Sequence, residues 1–285
     1  MIRLIYPCFL VASVLVAQGP PPTTIHLADF NETSWALSTP AKISTLPGYN
    51  NQPSFLSDGT LLFTANVDGQ TDIFHYSPKT GASKRLTWSQ ESEYSPTLMP
   101  DGTRFSVIRV EHDGIQRLWA FPLEGGPGEI LLPHVKPVGY HLWLSRSHLA
   151  LFVLGEPNYL AEVISGQSAP KRVLSKVGRC LLQIPGQSAY SVVQKTSETD
   201  WAVKRVDLDS GEISTLTATL PGSEDYAWTP SGSLLMAQGQ ILYRFKPGED
   251  KNWVQLADLG RSGLQKITRL ALSSDGKQIA LVSAK

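Results

Sequence analysis

Two cysteines in 285 residues are too few for a disulfide-stapled scaffold, and one of them, Cys8, lies within the first ten positions. Neither sign of charge is in excess: 25 Lys and Arg face 25 Asp and Glu. That balance excludes the basic surface needed to grip nucleic acid or an anionic membrane. There is no Gly-x-Ser-x-Gly nucleophile elbow, since Gly260-Arg-Ser262-Gly263 misses the spacing. The six histidines, at 26, 75, 112, 134, 141 and 148, show no His-Glu-x-x-His or other paired metal spacing. His148 falls at a turn and is expected to face solvent. No catalytic residue, metal site or cofactor is therefore expected.

The one sustained apolar run is at the N-terminus and is too short to span a bilayer comfortably. Met1-Ile-Arg3 carries one positive charge, Leu4 to Ala17 is almost wholly apolar, and Leu15-Val16-Ala17 offers small residues for cleavage. This pattern predicts a signal peptide over residues 1–17, and hence a periplasmic or secreted mature chain with no stable membrane insertion. Removal of Cys8 would leave Cys180 alone, in the apolar run Cys180-Leu-Leu, where a buried hydrophobic role is expected.

What the chain has in quantity is turns, with 23 Gly and 20 Pro spread along its length. Pro53-Ser-Phe-Leu-Ser-Asp58-Gly59-Thr60 is echoed by Pro96-Thr-Leu-Met-Pro-Asp101-Gly102-Thr103, by Ala227-Trp-Thr-Pro-Ser231-Gly232-Ser233 and by Ala271-Leu-Ser-Ser-Asp275-Gly276-Lys277. Each leads into an apolar, β-branched run, as a hairpin turn between strands should. With weaker copies at Arg146 and at Pro185-Gly186, the turns fall at 58, 101, 146, 185, 231 and 275. Repeats of 40 to 45 residues holding several strands predict a β-propeller.

The expected fold is therefore all-β: a single six-bladed propeller over residues 18–285, with four-stranded blades. The last repeat has residues for two strands only. The missing pair is expected from Thr24–Phe30 and Ala41–Leu46, so that residues 24–47 complete the C-terminal blade. A five-bladed ring with frayed ends is disfavoured because it would expose unpaired apolar edges. A monomer is the expected state.

Tyr94-Ser-Pro-Thr-Leu-Met-Pro-Asp101-Gly102-Thr103, together with Asp72-Ile-Phe-His-Tyr76, Gly81 and Arg85-Leu-Thr87, resembles the repeat of TolB-type propellers, a WD-repeat-like group of exported proteins. Asp209-Ser-Gly211-Glu-Ile-Ser-Thr-Leu-Thr217 repeats the latter half. The resemblance covers the propeller only and not the α/β domain that precedes it in TolB. It implies the fold and leaves function open, because its acidic and glycine residues make turns. Lactonase-like six-bladed propellers hold calcium with a ring of Asp, Asn and Glu, and the corresponding positions here carry too few acidic groups for that.

In a propeller, residues just ahead of each inner strand are expected to line the mouth of the central channel. Six positions before the turns stand Gln52, Ser95, Tyr140, Arg179, Asp225 and Arg269, with Tyr94 and Glu224 one place further back. The plain reading is a water-filled channel lined by polar groups. The functional reading is a mixed-charge pocket: two arginines can pair with a carboxylate, tyrosines supply rigid contact area, and Asp225 can meet an amine. The resulting expectation is a non-catalytic exported propeller binding a protein, a peptide or a small charged ligand at Gln52, Tyr94, Ser95, Tyr140, Arg179, Asp225 and Arg269. The alternatives are a metal-dependent lyase or hydrolase, or a scaffold using its blade edges. Replacing both arginines is expected to leave stability almost unchanged, because neither belongs to an apolar strand.

Overall fold

A computed structural model describes residues 20–166 and 169–284. The predicted signal peptide, residues 1–17, lies outside the described residues. Six antiparallel sheets follow one another along the chain, and each is a blade. Blade 1 comprises Asn50–Phe55, Leu61–Val67, Gln70–Ser77 and Ala82–Arg85 from the inside outward. Inner strands of the following blades are Ser92–Leu98, Val138–Trp143, Val177–Gln183, Tyr226–Trp228 and Lys266–Leu272. The architecture is a six-bladed β-propeller.

The turns sit where the repeat places them. Gly59, Gly102, Gly186, Gly232 and Gly276 all have φ between 69° and 86°, the left-handed region that a side chain resists. Asp58 and Asp101 each accept a hydrogen bond from the backbone N–H two residues on, at 3.0 and 2.9 Å, so the acidic residue closes its own turn. Blade 3 makes the same hairpin without glycine: Leu144 N donates to His148 O at 2.8 Å. His148 is not the free surface group expected from its place at a turn. Its Nε2 lies 3.2 Å from Glu162 Oε2, and the side chain is largely covered.

Packing is organised between blades. Each gap between neighbours holds its own apolar cluster, six in all, because alternating strand residues present an apolar face on both sides of a blade. The ring is closed by the cluster between blades 6 and 1, where Ile25 packs with Phe63, Ala280 and Val282. Thr23–Asn31 pairs antiparallel with Gln278–Ala284 from Thr23↔Ala284 to Asp29↔Gln278. The N-terminal segment therefore supplies the third strand of blade 6. The fourth is split into Ala36–Leu37 and Ala41–Lys42, each pairing with the same strand. Among the described residues no helix is long and apolar enough to cross a membrane.

Candidate ligand-binding site

The inner strands are not regular where they face the axis. In blade 1, pairing with the next strand slips between Asn51 and Ser54, and in blade 2 between Tyr94 and Thr97. Equivalent slips occur at Val138/Tyr140, Val177/Leu181 and Ile267/Arg269. A bulge re-aims the side chain of the unpaired residue, and here it does so in five blades at one level of the channel. Gln52 and Ser95 adopt φ of 57° and 55°, a left-handed conformation costing a non-glycine residue about 1 kcal/mol. Hydrogen bonds hold it in place: Gln52 N donates to Asn51 Oδ1 at 2.7 Å, and Gln52 Oε1 accepts from Thr64 Oγ1 at 2.9 Å and from Ser95 N at 2.8 Å. In blade 4, Gly178 leaves room for its neighbour, since a Cβ there would stand 2.7 Å from Glu224 Oε2.

The inner strands begin earlier than the turn spacing suggests. Gln52, Ser95, Tyr140, Arg179 and Arg269 lie within the inner strands, and only Asp225 precedes one. The six residues form a polar ring around the channel. All six line a cavity of about 800 Å³ that runs from the ring to the hairpin turns at Pro185–Gln187 and Ser273–Ser274. Tyr94 does not line this cavity; it stands edge-on to Tyr49 with ring centroids 6.3 Å apart.

Charge is concentrated on one side of the ring. Arg179 donates to Asp225 Oδ2 from Nη2 at 2.5 Å and from Nε at 3.1 Å. Arg269 Nε lies 3.7 Å from the other oxygen of Asp225 and has no hydrogen-bond partner in the protein, although the atom is buried. Its Nη2 donates to Tyr140 OH at 3.4 Å, and its guanidinium sits 5.4 Å from the Tyr140 ring centre. Lys195 Nζ pairs with Glu224 Oε2 at 2.6 Å, and Glu224 Oε1 lies 3.4 Å from Arg179 Nε. Three cations against two carboxylates leave this wall with one net positive charge.

Burial opposes the charge on Arg269, but Asp225, Tyr140 and Tyr49 more than offset it and hold its pKa above the usual arginine range. Burial also raises the Tyr49 hydroxyl above the ordinary phenol range, against the pull of Arg269. Tyr49 therefore stays protonated and available as a donor. Neither Tyr49 nor Lys195 was singled out from the sequence. Tyr49 is nine positions ahead of the turn rather than six or seven, and Lys195 comes from a second strand, so counting along inner strands could not find them.

Ser106 and His141 form the closest arrangement to a nucleophile and its base, with Oγ 2.6 Å from Nε2. The geometry is that of a structural bridge. Ser106 is fully buried and also accepts from Trp143 Nε1 at 2.9 Å, while His141 Nδ1 has no orienting partner. Burial pushes the His141 pKa down to about 3, so the ring is neutral. Blades 4 and 5 repeat the device: Ser191 Oγ accepts from Tyr226 OH and Trp228 Nε1, both at 2.8 Å. Cys180 is likewise structural, its thiol buried, raised in pKa mainly by that burial, and 3.5 Å from Tyr226 O.

Solved structures share this architecture. A candidate TolB from Agrobacterium tumefaciens matches with a TM-score of 0.70 at 15% identity, covering 94% of this chain and 99% of that one. TolB from Acinetobacter baumannii matches at 0.58 and 14% identity, covering 92% of this chain and 64% of the other. The fold is a TolB-like six-bladed propeller. A gluconolactonase from Xanthomonas campestris matches at 0.65 and 10% identity, over 95% and 99% of the two chains. No protein-family model and no curated protein matches the sequence.

The gluconolactonase likeness raises the question of a calcium ion in the channel, and the ring's donor set does not fit one. Its single carboxylate, Asp225, is flanked by two guanidiniums. Among the described residues no group of three or more His, Cys, Asp or Glu is placed to hold a metal.

Proposed function

We propose that this chain is an exported, non-catalytic binding module that takes a carboxylate-bearing ligand, a short peptide or a small molecule, into its central channel. One observation carries the reading: two arginines converge on one carboxylate, Asp225, at the wall of an 800 Å³ cavity. A carboxylate entering there meets guanidinium donors whose charge Asp225 only partly neutralises, with Tyr140 beside them. The apolar stretches of the inner strands, among them Leu142, Leu182 and Leu272, offer contact to the rest of the ligand. Export rests on the N-terminal charge, apolar run and Leu15-Val16-Ala17 site; N-terminal sequencing of protein recovered outside the cytoplasm should begin at or near Gln18.

The test is calorimetry on the mature chain with small dicarboxylates and with short peptides carrying either a free or an amidated C-terminus. Free carboxylates should bind and amidated peptides should not. Arg179→Gln, which leaves Asp225 paired with Arg269, should weaken binding by about 1.5 to 3 kcal/mol, the worth of hydrogen bonds to a charged group. Equal binding of free and amidated peptides would overturn the reading. So would turnover of a sugar lactone, with or without added divalent cations, that Arg179→Gln abolishes.

A further inference from the structure

The charged wall has a second side. A smaller cavity of about 340 Å³ is lined by Glu224, Lys266 and Thr268, and also by Arg179, Asp225 and Arg269, which line the large cavity as well. Its remaining walls come from Pro221–Ser223 and Ala237–Gly239, loop and strand-end residues of blade 5, and from Ile267 and Leu270 of blade 6. The Arg179–Asp225–Arg269 cluster is thus a partition with a compartment on each face. The two compartments differ in size and in lining: the large one has long apolar strand faces, whereas the small one is mostly polar.

Each carboxylate at the partition is already engaged, Asp225 with Arg179 at 2.5 Å and Glu224 with Lys195 at 2.6 Å. Lys266 lies within 4 Å of no carboxylate among the described residues, and the buried Arg269 Nε has no hydrogen-bond partner in the protein. The small compartment therefore brings together the exposed Lys266, the Thr268 hydroxyl, which donates only a long bond to Val282 O at 3.5 Å, and two guanidiniums. That donor set suits a compact oxyanion.

We infer that the small compartment is a second site, for a compact oxyanion of the phosphate class, and that its occupancy antagonises binding in the large compartment. The antagonism rests on the carboxylate reading of the large cavity. Two anions on opposite faces of the partition draw on the same two guanidiniums, so each offsets the charge that would hold the other. Linkage makes the effect reciprocal: each anion weakens the other by the same factor.

Inorganic phosphate is the probe, titrated into the mature chain by calorimetry at constant ionic strength with chloride as the balancing ion, so that screening does not imitate competition. Saturable binding at one site is expected. Lys266→Gln should weaken it by about threefold to tenfold, Lys266→Arg should restore it, and Gln187→Ala, which touches only the large cavity, should leave it unchanged. No saturable binding, or an unchanged titration for Lys266→Gln, overturns the second site. Succinate titrated with and without saturating phosphate then reads the coupling. Succinate binding that is indifferent to bound phosphate overturns the antagonism. If succinate fails to bind while phosphate binds through Lys266, the large-cavity reading and the antagonism fall and the small site stands. The opposite pattern removes the small site and the antagonism with it, and leaves the large-cavity reading standing.

Discussion

Asp225 of blade 5 accepts two hydrogen bonds from Arg179 of blade 4 through a single oxygen, and its other oxygen lies 3.7 Å from Arg269 of blade 6. One carboxylate thus ties three blades together at the channel wall. From the sequence, replacing both arginines is expected to leave stability almost unchanged; the shared carboxylate argues for a cost. Removing both would leave Asp225, only 8% exposed, as a charge without its two neighbouring cations.

Asp225→Ala should destabilise the protein by about 3 to 5 kcal/mol, because it strips the shared anion from two arginines held in a covered site. Arg179→Ala should cost less, since Arg179 is about a third exposed and Asp225 keeps Arg269. Urea unfolding followed by tryptophan fluorescence measures both. Equal losses would show that Asp225 does not bridge the two arginines.

Ser191→Ala should cost about 2 to 4 kcal/mol, because it leaves Tyr226 OH and Trp228 Nε1 as buried donors without their acceptor. Tyr226→Phe removes one of those donors, so the double variant should lose less than the sum of the two single changes. Simple additivity in a double-mutant cycle would refute the bridge between blades 4 and 5.

Glu93 provides a pH signature. It is fully buried, accepts from Ser89 Oγ at 2.5 Å and Arg109 Nε at 3.0 Å, and has Asp72 in the adjacent blade. Burial raises its pKa from 4.5 to about 6, against the pull of Ser89 and Arg109, while Asp72 adds to the rise. The folded state therefore holds the proton more tightly than the unfolded chain. The stability this contributes is fully present below pH 4.5 and is lost as pH rises through about 6. Glu93→Gln removes the titration. Its stability relative to the parent should rise by about 2 kcal/mol between about pH 4 and about pH 7. A difference that stays constant across that range would sink the assignment.

Closure of the ring depends on the N-terminal strand. Ile25→Ala should cost about 2 to 5 kcal/mol, since the side chain is completely buried between blades 6 and 1. Deleting residues 18–47 exposes the edge of Gln278–Ala284 and its apolar face, so the product should aggregate or unfold in part. Size-exclusion chromatography with light scattering checks this, and a monomer with unchanged thermal unfolding would contradict it.

The number of blades, their order and the way the ring closes are legible in the sequence. Those features rest on local chemistry: a hairpin turn needs Gly, Asp or Ser within a few residues, and an apolar run beside it declares a strand. Asp58-Gly59 and Asp275-Gly276 say as much in isolation, and the spacing between turns supplies the rest. The same counting brought Gln52, Ser95, Tyr140, Arg179, Asp225 and Arg269 to one level of the channel. The bends that aim them are not legible in the sequence. A bulge is a mismatch between two paired strands, so nothing in Asn51-Gln52-Pro53 alone says that the chain turns left-handed there and aims Gln52 at blade 2. Lys195 reaches Glu224 from a second strand, and the partition between two compartments exists because Arg179, Asp225 and Arg269 come together from successive blades. Turn chemistry is written within one short segment, whereas the charge and shape of the channel arise from side chains of separate blades that only closure of the ring brings together.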